Sequence, residues 1–169
     1  MRSILIGLVV VLVALGAFVF IARATSKPVD GIPCDLSEQV TYHVHAHLTI
    51  VLAGSRKLVY PPAGVGIHPE HLCLYWLHTH DATGVIHIEA GHRISPTLGQ
   101  FFDIWGQPLS RTTVGRYTAA SGAERVYLGQ ALYHGNPREI VLRNHTQITI
   151  ELGPPYMKPP YFDFSVYGL

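Results

Sequence analysis

Methionine and cysteine are scarce in this 169-residue chain, two of each, and that scarcity excludes particular chemistry. A blue-copper electron-transfer site draws on a cysteine thiolate and usually an axial methionine. Here the methionines are Met1 and Met157, and the two cysteines, Cys34 and Cys73, form an even pair expected to be bridged. No His-Glu-x-x-His helix, Cys-x-x-Cys pair or glycine-rich phosphate loop is present, so nothing suggests a zincin, a dithiol redox protein or a nucleotide-binding protein. Charge is equally sparse. Charged residues make up 14% of the chain, the formal net charge is +1, and no Lys/Arg cluster occurs, so nucleic acid is not an expected partner. An apolar fraction of 48% is enough for a folded core, and the length suits one domain. There is no internal repeat.

The one long charge-free run, residues 4–22, is rich in Val, Leu and Ile and lies between Arg2 and Arg23. It has about the length that spans a bilayer core and reads as an N-terminal transmembrane helix. A cleaved signal peptide is the rival, because Ala22-Arg23-Ala24 has the small-x-small form of a cleavage site. Basic residues stand on both sides, so orientation is not readable from them. On either reading the rest of the chain is expected outside the cytoplasm, in the bacterial cell envelope, with the membrane as partner and any protein partner unidentified. The expected organisation is an anchor or signal peptide over 1–24, a Pro/Gly tether over 25–33, a histidine-rich β-domain over 34–153 and a Pro/aromatic tail over 154–169.

Within that domain, strict alternation over 40–52 marks the best strand. Val40, Tyr42, Val44, Ala46, Leu48, Ile50 and Leu52 share one face, and Thr41, His43, His45, His47 and Thr49 the other. A turn at 53–56 and a short strand over 57–60 complete a hairpin. After a Gly/Pro loop over 61–69, strands over 72–80 and 85–89 flank Asp81-Ala82-Thr83-Gly84, which would set His78 opposite His87. A helix is expected over 95–105, capped by Ser95 or Thr97, with Pro96 in its first turn and Gly106 ending it. Strands follow over 125–128, 131–133 and 146–152. The expected fold class is all-β, an antiparallel sandwich or barrel with one short helix. The Pro-rich tail should run extended across the surface, leaving Phe162, Phe164 and Tyr167 to dock.

Histidine at every second strand position lines one face with imidazoles, and neutral imidazole is the commonest protein metal ligand. His43 and His47 stand roughly 13 Å apart at about 3.3 Å per residue, too far for one ion. Adjacent members converge, so the economical site takes His45 and His47 from one strand, His78 and His80 from the next, and His87. That set suits a transition metal ion, copper or zinc foremost, with iron or nickel also compatible. His43 would be a second site, an orienting group or an unrelated surface residue. Glu89 and Asp81 are candidate proton acceptors or orienters of the ligands. Cys73 as a thiolate ligand near His71 competes with its bridge to Cys34. In an extended 72–80 segment, however, Cys73 faces away from His78 and His80 unless a bulge intervenes. His68, His71, His92, His134 and His145 read as ordinary polar residues.

His-x-His with a further histidine on a neighbouring strand is similar to the ligand pattern of α-type carbonic anhydrases, cupins and copper/zinc superoxide dismutases, none of whose wider motifs is present. The wording Tyr42-His43-Val44-His45-Ala46-His47, then residues 73–89 from Cys73-Leu74-Tyr75-Trp76-Leu77-His78-Thr79-His80 to His87-Ile88-Glu89, then Leu98-Gly99-Gln100-Phe101-Phe102-Asp103-Ile104-Trp105-Gly106, resembles a family of uncharacterised, histidine-rich bacterial proteins with an N-terminal membrane segment. The resemblance implies an anchored location and carries no activity with it. Three readings therefore stand: an anchored metal-binding protein for metal handling, a histidine-ligated hydrolytic, hydratase or oxidative enzyme with an open coordination position, and an interaction module without metal.

Overall fold

The alternating run around the histidines builds the longest strand among the described residues, and the remaining elements assemble around it. The computed structural model describes residues 27–71 and 73–169. The membrane anchor or signal peptide expected over 1–24 lies outside them, and among the described residues no helix is long and apolar enough to cross a membrane. These residues form β1 (Cys34–Asp35), β2 (Tyr42–Leu52), β3 (Lys57–Val59), β4 (Ile67–His68), β5 (Cys73–Tyr75), β6 (Leu77–His78), β7 (Val85–Ala90), α1 (Leu98–Trp105), β8 (Thr113–Val114), β9 (Tyr117–Thr118), β10 (Glu124–Leu128), β11 (Ala131–Tyr133) and β12 (Thr146–Leu152).

The fold is mostly β-sheet with a single α-helix among the described residues. A seven-stranded sheet runs in the order β11-β10-β12-β2-β7-β6, with β3 paired to β2 beyond the end of β7. Here the antiparallel expectation needs correction: β12 pairs with β2 in parallel, from Thr146 opposite Ala46 to Leu152 opposite Leu52. Alternation specifies which face a side chain takes and says nothing of strand direction. The long connection between β2 and β12 supplies the crossover that a parallel pair needs.

The two faces of this sheet differ sharply. Ala46, Leu48, Ile50, Leu77, Ile86, Ile88, Ile148 and Ile150 are buried on one face and join Leu98, Phe101 and Phe102 of α1 in the core. Helix α1 starts later than its pattern suggests. Thr97 is the N-cap, in a reciprocal capping box with Gln100, so Ser95 and Pro96 fall outside it; Gly106 ends it in the left-handed conformation. The opposite face carries His43, His45, His47 and Thr49 of β2, His87 and Glu89 of β7, His78 of β6, and Gln147, Thr149 and Glu151 of β12. The C-terminal tail covers its β12 side. Phe162 and Gln147 exchange two hydrogen bonds of 3.0 and 2.9 Å, and the Met157 amide donates to Glu151 at 3.1 Å. The histidines occupy the other side.

The segment expected as one strand over 72–80 is divided. A bend at Trp76 passes the chain from a small sheet, β1-β5-β4, into the large one as β6. Trp76 anchors the bend by donating from its indole to Asp35 at 2.7 Å, while its carbonyl accepts from the Glu89 amide at 2.9 Å. A disulfide joins Cys34 to Cys73, with 5.4 Å between their Cα atoms, and this removes Cys73 from the ligand candidates.

Two outcomes follow for stability. The bridge closes a 39-residue separation, so Cys34→Ser with Cys73→Ser should cost about 4 kcal/mol in chemical denaturation. Gly84, which ends the β6–β7 connection, has φ of 96° and would place a Cβ 2.7 Å from the Leu48 carbonyl oxygen. Gly84→Ala should therefore destabilise the fold by about 2 kcal/mol or more, read as a lowered melting temperature; an unchanged value would contradict the close approach.

Candidate metal centre

Strand β7 is hydrogen-bonded on both edges, and its register decides which imidazoles meet. His87 lies opposite His45 on β2 and opposite His78 on β6, while Glu89 lies opposite His43. His80, two residues beyond His78, turns back toward the same point. Two groups result: His78, His80, His87 and Glu89, and then His43, His45 and His87, with the donor atoms of each group within 4.8 Å of one another. The Glu89 carboxylate is the hub. Its Oε1 is 3.1 Å from His43 Nε2, 3.3 Å from His87 Nδ1, 3.8 Å from His78 Nε2 and 3.9 Å from His80 Nε2. The nitrogens of His78 and His80 are 3.2 Å apart. Donors bonded to one ion at about 2.1 Å are separated by about 3.4 Å in a tetrahedron, so these spacings match the edges of a coordination shell. Such buried His/Glu groups can hold a metal ion.

Protonation suits the same purpose. His78 is fully buried, and its Nδ1–H donates to the Tyr75 carbonyl at 2.9 Å, which leaves Nε2 as a lone pair aimed into the cluster. Burial lowers His78 and His45 to about 4 and His87 to about 3; neighbouring imidazoles add to the effect, and the bond to Tyr75 opposes it at His78. All three are neutral at physiological pH, the form that ligates. Burial raises the Glu89 carboxyl, against the pull of His43. Three buried atoms of the cluster have no hydrogen-bond partner: His45 Nε2, His87 Nδ1 and Glu89 Oε2. Buried polar atoms are almost always satisfied, and three such atoms in one cluster, against Glu124 Oε1 and Glu151 Oε2 elsewhere, are compatible with a metal ion held there.

Solvent reaches the cluster from one side. His43 and His80 are 41% and 42% exposed, whereas Glu89 is 3% exposed. His80 lines an open groove of about 690 Å³ together with Leu36, Glu38, Val40 and Leu74. Glu38 Oε1 stands 3.6 Å from His80 Nε2. Glu38 lies well before the histidine run, and no local spacing marks it as a neighbour of His80.

Not every expected site residue joins the cluster. His47 is drawn away: its Nε2–H donates to the Thr83 carbonyl at 2.9 Å, the Thr49 hydroxyl reaches its Nδ1 at 3.4 Å, and Phe162 stacks on its ring at 4.0 Å. The pair supplied by β2 is thus His43 with His45 rather than His45 with His47. Asp81 is exposed and accepts from the Thr83 amide and hydroxyl, bonds that hold its carboxyl below the usual range and make it a turn residue. Glu89, expected to orient ligands or accept protons, sits among the ring nitrogens themselves. Away from the cluster, His68 pairs with Glu70, His92 meets the Trp76 ring edge-on and His145 stacks on Phe164. The His134 carbonyl accepts from Arg111. The side chain of His71 lies outside the described residues.

Burial also holds His47 at about 4 despite its bond to Thr83. Its folded-state value lies below that of the unfolded chain, so the unfolded chain takes up the proton first. Its contribution to stability is complete above about pH 6.5 and is lost as pH falls toward 4. Between pH 7.5 and 4.5 the metal-free His47→Gln protein should therefore lose less stability than wild type, by on the order of 2 kcal/mol in urea unfolding. Equal losses would show that His47 does not contribute to the acid sensitivity. Compared with family models, curated proteins and solved structures, the chain matches none.

Proposed function

We propose that this chain is a transition-metal-binding protein of the cell envelope that holds copper or zinc at His78, His80, His87 and Glu89 and serves metal handling. The observation that carries the reading is the convergence of His87 Nδ1, His78 Nε2 and His80 Nε2 on Glu89 Oε1 at 3.3, 3.8 and 3.9 Å, separations that suit donors of one coordination shell, with His87 Nδ1 and Glu89 Oε2 buried and without a hydrogen bond. A bound cation would satisfy His87 Nδ1 and the Glu89 carboxylate together. Nitrogen and carboxylate donors without thiolate favour Zn(II), Cu(II), iron or nickel over Cu(I). Envelope location and anchoring are supported by the apolar run over 4–22 and by the disulfide, which persists in oxidising compartments. The likeness to histidine-rich, membrane-anchored bacterial proteins points the same way.

A second reading, a metalloenzyme, is favoured by the groove at His80, which gives a small molecule a route to the half-exposed side of the cluster. A bound metal would there supply Lewis acidity or an activated water, and Glu38 is the carboxylate placed to exchange protons with the groove.

Elemental analysis of the full chain, purified in detergent and loaded separately with Zn2+ and Cu2+, tests the metal reading. His80→Ala should weaken uptake at least tenfold, in keeping with the cost of losing a coordinating or supporting group, and His80→Ala with His87→Ala should weaken it further. Wild type that retains no metal, or variants that load as wild type does, would overturn the reading and leave an interaction module. An exchangeable water on the bound ion, seen by X-ray absorption, would favour the enzyme over storage.

A further inference from the structure

We infer that the cluster is built for two ions, the second held by His43 and His45 of β2, with Glu89 standing between the pair and His87 within reach of either. The inference rests on the metal-binding reading above. The polar face has three rows here: β2 presents His43 and His45, β7 presents Glu89 opposite His43 and His87 opposite His45, and β6 presents His78 opposite His87, with His80 following. Neighbouring strands lie about 4.8 Å apart, so the outer rows are about 10 Å apart at the backbone. Among the described residues no set of mutually close donors takes in His45 together with His78 or His80, so one ion does not gather them all. Two ions at the roughly 3.5–4 Å spacing of binuclear centres do. The donors divide accordingly into two groups, and His87 is common to both.

The decisive atom is His45 Nε2. It is buried without a hydrogen bond, and His45 belongs only to the group formed with His43 and His87. An ion held by His78, His80, His87 and Glu89 leaves it as it is. A second ion at His43 and His45 satisfies it. Glu89 is suited to stand between the ions: its Oε1 faces ring nitrogens from both flanks, His43 on one side and His78 and His80 on the other, while its Oε2 is a second, unpartnered donor. The ligand class is a pair of divalent borderline cations, such as Zn2+ or Cu2+, sharing the Glu89 carboxylate, with the His87 imidazole serving one of them.

Stoichiometry distinguishes this from the single-ion reading. The full chain in detergent, saturated with Zn2+ and freed of loose metal, should carry two ions by elemental analysis. His43→Ala should carry one, with His43→Gln as a second variant and circular dichroism confirming the fold of both. His80→Ala should also carry one. Loaded with Cu2+, wild type should give an electron paramagnetic resonance signal at least twofold weaker per copper than His43→Ala, because adjacent Cu(II) ions couple magnetically. Wild type saturating at one ion, or His43→Ala retaining two, overturns the second site while leaving the first intact. Wild type binding none overturns both readings.

Discussion

The pairing of β7 on both of its edges is the constraint on which the site depends. A strand with one free edge brings its side chains against a single neighbour. Val85–Ala90 instead lies between β2 and β6, so His87 meets His45 across one gap and His78 across the other. Side-chain parity does the rest, since residues opposite one another in a ladder project from the same face. The disposition of six donor side chains thus follows from two ladder registers and one returning loop. The apolar parity of the same strands packs against α1 in the core, so the register that assembles the imidazoles is also the one that buries Ile86 and Ile88. Sliding β7 by one residue would expose those side chains and disperse the site together.

The polar face has to be satisfied without a second hydrophobic layer, and the molecule divides that task. On the β12 side the C-terminal tail supplies hydrogen-bond partners to Gln147 and Glu151 and an aromatic cover to His47. On the β6 side the imidazoles and Glu89 have mainly one another, and buried atoms there go unpartnered. Desolvation keeps the buried imidazoles neutral and raises the one carboxyl among them. A cation reverses the electrostatics of such a site, because it favours the ionised carboxylate and takes up the imidazole lone pairs.

Local pattern made several of these elements legible. The alternation over 40–52 marked β2 and its imidazole face, the short turn at 81–84 implied His78 opposite His87, and the even cysteine pair implied the bridge. What local pattern does not carry is the offset between strands far apart in the chain. A period of two puts His43, His45 and His47 on one face, but it does not say which pair lies against Glu89 and His87. A two-residue slide of β2 would choose His45 and His47 and still keep every apolar side chain on the core face. The choice is made by long-range contacts: Gly84 against Leu48, Thr83 against His47, and Phe162 stacked on the His47 ring. The parallel direction of β12 was hidden for the same reason, and so was the approach of Glu38 to His80.

The small sheet outside the main one also bears on the site. His78 presents Nε2 to the cluster because its other nitrogen is engaged by the Tyr75 carbonyl, and that carbonyl belongs to β5. Tyr75 is held there by three ties: its pairing with Cys34 across the β1–β5 ladder, the hydrogen bond from its amide to the Gly66 carbonyl at 2.9 Å, and the disulfide from that same Cys34 to Cys73 two residues earlier. Directly after it, Trp76 turns the chain into β6. A covalent bridge outside the donor set thereby helps to fix the backbone group that selects the His78 tautomer, and a ligand whose tautomer is set before the ion arrives binds without first reorganising.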